Sequence, residues 1–275
     1  MSALSRRVAR LFGPEQRALA VALMILAGAW LFAAVAWAAH YGYSRALDEA
    51  ALRALRDPLA PGRLRGPSWL ADAARDVTAL GSHAVIVPLL LGTIGFLLLL
   101  RKPAMALAVI LAGSGGIFLE GALKLLFGRP RPQLVPPLVE VGSSSFPSGH
   151  SLLSAAVYLS MAMLVVRLIA HRRVRLYVLA VTAALVALIG FSRVLLGVHY
   201  PTDVVAGWLA GGMWALLCGL AARSAQHHGA VEPPGLPPEL ADDASPRPAI
   251  DAGPRTPREV SAGSPETREP ADPRR

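Results

Sequence analysis

The sequence predicts an all-α polytopic membrane protein, a six-transmembrane-helix bundle with a disordered C-terminal tail. Three observations predict it. The chain of 275 residues is 54% hydrophobic and only 16% charged, and its apolar residues are gathered into six long continuous runs. Each run approaches the ~20 residues that a helix rising about 1.5 Å per residue needs to cross a hydrocarbon core ~30 Å thick. Basic residues fall between the runs, and the composition changes abruptly after residue 222. In lipid, backbone groups must pair within the spanning element; a barrel would alternate apolar and polar residues, and these runs do not.

The first span is predicted over 17–39, behind a cytoplasmic N-terminus at 1–16. Arg6, Arg7 and Arg10 resemble the basic region of a signal peptide, and Ala36–Trp37–Ala38 a cleavage site. The apolar stretch exceeds the roughly 7–15 residues of a signal core, so a retained helix is expected. Residues 40–82 connect it to the second span. There "SRALDEAALRALRDP" has helical apolar spacing and is expected to lie along the interface. The remaining spans are predicted at 83–100, 104–127, 149–170, 175–196 and 203–222. Gly207 and Gly211 form a G-x-x-x-G suited to close packing of the sixth helix. The single cysteine, Cys218, excludes an internal disulfide and reads as a small buried hydrophobe. The membrane domain thus covers 17–222. The tail, 223–275, holds 11 of the 23 prolines, no aromatic residue, and 7 basic against 9 acidic side chains. It cannot bury enough apolar area to offset the entropy of ordering.

Residues 1–222 carry 20 basic and 9 acidic side chains. A nucleic-acid partner is not implied, because the basic residues flank spans. Arg6, Arg7, Arg10 and Arg17 sit at the first, Arg101 and Lys102 between the second and third, Arg172, Arg173 and Arg175 between the fourth and fifth, and Arg223 after the sixth. Six spans put all of these on one side, and the positive-inside rule makes that side cytoplasmic, with both termini. The 40–82 segment is expected outside; its arginines are interleaved with acidic residues. Only Lys102 and Lys124 among the 27 basic residues are lysine, which with the abundant Ala, Gly and Pro suggests a GC-rich, bacterial genome. The expected location is the inner (plasma) membrane.

Three polar clusters then fall on the outer face, each at a helix end. The third span closes with "EGALKLLFGRPRP", the fourth opens with "FPSGHS", and the fifth runs out through "FSRVLLGVHYPTD". Each has an ordinary explanation. Arg129 and Arg131 could be snorkelling anchors, Lys124 could pair with Glu120 one turn earlier, and Ser148 could cap a helix after Pro147. His199 and Asp203 could be a helix-start pair. Ionisable groups at membrane depth are costly, however, and three such coincidences would have to share one face.

The chemistry suggests a phosphate. Lys124, Arg131 and Arg193 supply three cations, and arginine forks match phosphate oxygens. Backbone N–H groups at Ser148 and Gly149, with the helix dipole, favour an anion. Of the two histidines, His150 and His199, one can attack phosphorus and the other can move the leaving-group proton. Asp203 can hold the attacking ring in the right tautomer. No acidic or cysteine cluster has metal-ligand spacing, so a metal-free, cofactor-free mechanism is expected. Arg129 is a candidate contact to a second phosphate or headgroup. Asp76 is expected to bond at a helix end.

The three motifs, K-x6-R-P from Lys124 to Pro132, P-S-G-H at 147–150 and S-R-x5-H-x3-D from Ser192 to Asp203, resemble those of the type 2 phosphatidic acid phosphatase superfamily, integral-membrane lipid phosphate phosphatases. The resemblance implies that Lys124, Arg131, Arg193, Ser148 and Gly149 bind the phosphate. It implies that His199 is the nucleophile, Asp203 its orienting carboxylate, and His150 the acid and base. The implied partners are a lipid phosphate substrate and the bilayer; protein partners stay unknown. In a bacterium the outer leaflet carries undecaprenyl pyrophosphate, which makes that substrate attractive; phosphatidic acid and phosphatidylglycerol phosphate fit the motifs equally. Vanadate-dependent haloperoxidases share the phosphate-site pattern, but they are soluble proteins. A membrane scaffold retaining an old anion site is the non-enzymatic alternative.

Overall fold

A computed structural model describes residues 14–139 and 142–227. The arginines at 6, 7 and 10, and the expected tail from 228 onward, lie outside the described residues. Among the described residues there are eight helices: α1 (Pro14–His40), α2 (Arg45–Ala54), α3 (Trp69–Ala79), α4 (His83–Leu99), α5 (Pro103–Phe127), α6 (Gly149–Leu168), α7 (Arg172–Leu195) and α8 (Pro201–His227). The β-pairing among them is one isolated bridge, Arg56 with Leu64. Six stretches are long and apolar enough to cross a membrane; α3 and α4 together form the second, Trp69–Leu99. The protein is a polytopic helical membrane protein.

The helix ends differ from the sequence expectation by a few residues, for local reasons. The fifth span starts at Arg172 rather than 175, because arginine is a good helix former and the three basic residues join the first turns. The sixth starts two residues early, on Pro201, whose fixed φ suits a first helical position. It also runs five residues past 222, through Ala, Arg and Gln that favour helix. α5 stops at Gly128, which adopts φ 52° and donates its N–H to Lys124 O at 3.0 Å.

α6 is the central helix. It buries Leu152, Leu153, Ala155, Ala156 and Val157 and packs most extensively on α8. The two glycines of α8 make that approach possible. A Cβ at Gly207 would lie 2.6 Å from Ser148 O, and one at Gly211 would lie 2.9 Å from Ala155 Cβ. α1 docks on α8 along Ala36 and Ala39, while Leu23, Leu26, Trp30 and Trp37 are exposed, as suits a lipid-facing helix. The amphipathic connector is indeed helical in α2, but it buries Asp48 along with Leu52. α1, α5 and α7 end, and α4, α6 and α8 begin, on the same face of the bundle. That site face carries all three polar clusters.

Candidate active site

The last turn of α5 presents Lys124. Its Nζ donates to Glu120 Oε1 at 2.6 Å and to Ser143 Oγ at 3.2 Å. Glu120 is buried, and its other oxygen lies 3.3 Å from His83 Nε2, so the carboxylate bridges α4 and α5. Gly149 rests directly on this pair: a Cβ there would lie 2.6 Å from the Glu120 carboxyl carbon and 3.1 Å from Lys124 Nζ. Only a glycine lets the start of α6 approach the lysine so closely.

Ser148 stands at the N-cap of α6, but its side chain makes no cap bond. Its hydroxyl accepts from Ser151 Oγ at 3.1 Å, and its N–H donates to Asp203 O at 2.9 Å. The expectation of a free Ser148 amide is therefore corrected: close packing on α8 commits it to Asp203. The first intrahelical bond is Leu152 N–H to Ser148 O, 2.9 Å. The amides of Gly149, His150 and Ser151 precede that bond and carry the positive end of the helix dipole. His150 is half-buried beside Gly81, and the cations acting on it are Arg193 and Lys124.

Arg193 is buried at the end of α7. Its Nη1 donates to Thr78 Oγ1 of α3 at 3.1 Å, while its Nε has no partner. Arg131 reaches the same place from the segment after α5. It donates through Nη1 to Val198 O at 2.7 Å and through Nε to Ser143 O at 2.7 Å. Nη1 also lies 3.2 Å from His199 Nε2. A guanidinium only donates, so Nε2 is the acceptor and the ring proton sits on Nδ1. Nδ1 faces Asp203 Oδ2 at 3.5 Å, within ion-pair range but longer than a hydrogen bond. Asp203 Oδ2 accepts from Tyr200 N–H at 2.9 Å and from the Ser145 hydroxyl, and Oδ1 accepts from Arg129 Nη1 at 2.6 Å. Burial pushes His199 down to about 4 against the opposing pull of Asp203, which leaves the imidazole neutral at pH 7.

Arg129, a candidate contact to a second phosphate or headgroup in the sequence, lines the open cavity of this face and is also held by protein partners. Its guanidinium is shared between Asp203 and Asp48, whose Oδ2 lies 3.0 Å from Nη2, and it stacks 4.3 Å from the centre of the Tyr200 ring. Burial opposes its charge, but Asp203 and Asp48 outweigh burial and hold its pKa above the ordinary arginine value. Asp76 is exposed within α3 rather than bonded at a helix end.

The site residues expected from sequence (Lys124, Arg131, Ser148, Gly149, His150, Arg193, His199 and Asp203) all lie on the site face at the ends of α5, α6, α7 and α8. Sequence reasoning missed Asp48, Thr78, His83, Ser143 and Ser145. Lys124 Nζ and Arg131 Nη2, 3.2 and 3.3 Å away, both donate to the Ser143 hydroxyl, an oxygen placed where cations converge. An anion bound there would meet Lys124, Arg131, the unpartnered Nε of Arg193 and the start of α6. On its other side Arg131 walls an open cavity of about 880 Å³, together with Arg129, Phe127, Phe146 and Tyr200.

Comparison with known proteins places the chain in a family. Residues 103–225 match the sequence pattern of the PAP2 superfamily. The chain is 33% identical over 187 residues to phosphatidylglycerophosphatase B of Bacillus subtilis (strain 168), covering 66% of this chain and 85% of that protein. It is 35% identical over 108 residues to lipid A 1-phosphatase of Rhizobium etli, covering 36% of this chain and 42% of that protein. A crystal structure of a transmembrane PAP2-type phosphatidylglycerolphosphate phosphatase from Bacillus subtilis superposes with a TM-score of 0.63 at 29% identity, over 73% of this chain and 96% of that one.

Proposed function

The chain belongs to the PAP2 superfamily and is a membrane lipid phosphatase, and we propose that it acts through a phosphohistidine on His199, without a metal ion, at the outer face of the membrane. The observation that carries this reading is the His199 ring. Its Nε2 lone pair points at Arg131 and its Nδ1–H at Asp203, beside a buried Arg193 Nε with no partner. A neutral nucleophile set among cations suits an anionic electrophile.

The steps follow from the placement. Lys124, Arg131, Arg193 and the first amides of α6 hold the phosphoryl oxygens. His199 Nε2 gives its lone pair to phosphorus, the N–P bond forms, and the bond from phosphorus to the lipid oxygen breaks. His150 gives that oxygen its proton. The Nδ1–H stays in place, so the phosphorylated ring is cationic and Asp203 faces its charge. His150, now neutral, takes a proton from water; the water oxygen bonds to phosphorus, the N–P bond breaks, and phosphate leaves. The cations also neutralise the equatorial oxygens of the transition state.

Undecaprenyl pyrophosphate is the substrate this reading favours in the outer leaflet of a bacterial membrane. A second reading, phosphatidylglycerol phosphate, is supported by the 33% identity to the Bacillus subtilis phosphatidylglycerophosphatase B. Phosphate release by the purified protein in detergent decides between them. The panel is undecaprenyl pyrophosphate, phosphatidylglycerol phosphate, phosphatidic acid and a soluble phosphate ester. His199→Ala is expected to abolish release, and a chelator to leave the wild-type rate unchanged. Near-normal release by His199→Ala would overturn the phosphohistidine, and a loss restored by added metal would overturn the metal-free chemistry. No release from any lipid would favour a scaffold.

A further inference from the structure

We infer that Asp48, which lies outside all three motifs, is a positioning residue for the nucleophile. Acting through Arg129, it leaves the charge of Asp203 free to support the phosphorylated His199. The inference rests on His199 as the nucleophile.

Asp48 is 1% exposed, on the buried face of an amphipathic helix where apolar residues such as Leu52 are the rule. A buried carboxylate persists only when it is paired and hydrogen-bonded. Its four donors are Ser44 Oγ at 3.0 Å, Thr202 N–H at 3.1 Å, Thr202 Oγ1 at 2.7 Å and Arg129 Nη2 at 3.0 Å. Two come from the first turn of α8, one residue before Asp203. Another is the arginine whose other arm holds Asp203. The two carboxylates thus share one guanidinium.

The order of charges gives the arrangement its purpose. In the resting site Asp48 is negative, Arg129 positive, Asp203 negative and His199 neutral. Phosphorylation at Nε2 makes the ring a cation facing Asp203 at the end of that row. With Asp48 in place, Arg129 is divided between two carboxylates, and Asp203 keeps net negative charge for the ring. If Asp48 were neutral, Arg129 would pair with Asp203 alone and cancel it. In a largely buried setting that difference is screened less than it would be in water, and it acts on the step that creates the cation. Asp48 touches neither substrate nor His199, so its effect falls on turnover and spares substrate binding.

The test is a double-mutant cycle on the full-length protein in detergent, with wild type, Asp48→Asn, Arg129→Gln and the double variant. Each is assayed for kcat and KM and for acid-quenched phosphoenzyme formed from substrate carrying radiolabelled phosphate. Asp48→Asn is expected to lower kcat by about 10–100-fold, the scale of a misplaced catalytic group, with KM little changed. The double variant removes the positive charge along with the negative one, and it is expected to turn over faster than Asp48→Asn alone. A residue that merely pins α2 to α8 predicts the reverse, with the double variant at or below the slower single. That result, or an unchanged kcat in Asp48→Asn, would overturn the inference. If Asp48→Asn does not fold, Arg129→Lys serves. It keeps the charge but cannot fork to both carboxylates, so kcat should fall at constant KM, and an unchanged kcat would again overturn it. Wild-type turnover without any trapped phosphoenzyme would instead remove the premise on His199.

Discussion

As the proposed nucleophile, His199 has to offer a lone pair to phosphorus and yet stay unprotonated in a site full of cations. Near-complete burial does this at a cost that depends on pH. Its folded pKa of about 4 lies below the ordinary histidine value of about 6.5, so between those values the unfolded chain binds the extra proton. The stability that comes from a neutral His199 is fully present above about 6.5, and it is lost as pH falls toward about 4. The thermal unfolding midpoint in detergent is therefore expected to drop across this window, and to drop less in His199→Gln, which has no such proton. Equal drops in both proteins would assign the acid sensitivity to other groups. At this scale the sequence was informative where chemistry demands rare residues at fixed spacing: Lys124, Arg131, His150, Arg193, His199 and Asp203 are all of that kind. Asp48 was not visible, because one acidic residue in "RALDEAALRA" looks like any solvated helix charge. Ser145 was not visible either, since nothing in "GSSSF" says which hydroxyl reaches Asp203.

The element that sets the distance between Arg193 and His199 is the short turn from α7 to α8. Its carbonyls are tied from outside the turn. Leu195 O accepts from the buried Arg56 at 2.8 Å, Leu196 O from Leu138 N–H at 3.0 Å, and Val198 O from Arg131 at 2.7 Å. The bend itself falls on Gly197, with φ 73°. A Cβ at that position would be strained by about 1–3 kcal/mol. It would also lie 2.9 Å from Val135 Cγ2 and run into the Arg56 guanidinium. Gly197→Ala is thus expected to displace His199 from Arg193, lowering both kcat and the unfolding temperature. Normal turnover in that variant would show that the turn is not what spaces the motif. The spans themselves were legible because membrane thickness fixes their length. The ties on this turn were not, because Arg56 and Leu138 lie far from it in sequence and meet it only through the tertiary fold.

At the scale of the whole molecule, a site of ionised side chains can exist at a membrane only if it opens to water. The bundle meets that need by gathering the three motif clusters at helix ends on one face, while Arg101, Lys102, Arg172, Arg173 and Arg175 mark the helix ends of the other. Burial within the bundle is partial: α1 shows Leu23, Leu26 and Trp30 to its surroundings, and lipid replaces the solvent those residues would otherwise meet. The basic face is expected in the cytoplasm and the site face outside, where lipid phosphates of the outer leaflet come within reach. Leu59, in the segment after α2, is 96% exposed on the site face, and His171, at the start of α7, is exposed on the other. With Cys218 replaced by alanine, a membrane-impermeant maleimide is expected to label Leu59→Cys in intact cells and His171→Cys only after permeabilisation. The opposite pattern would put the phosphatase site in the cytoplasm and transfer its substrates to the inner leaflet. The phosphate chemistry would then be unchanged, but a carrier lipid regenerated on the outer surface could no longer be what it hydrolyses.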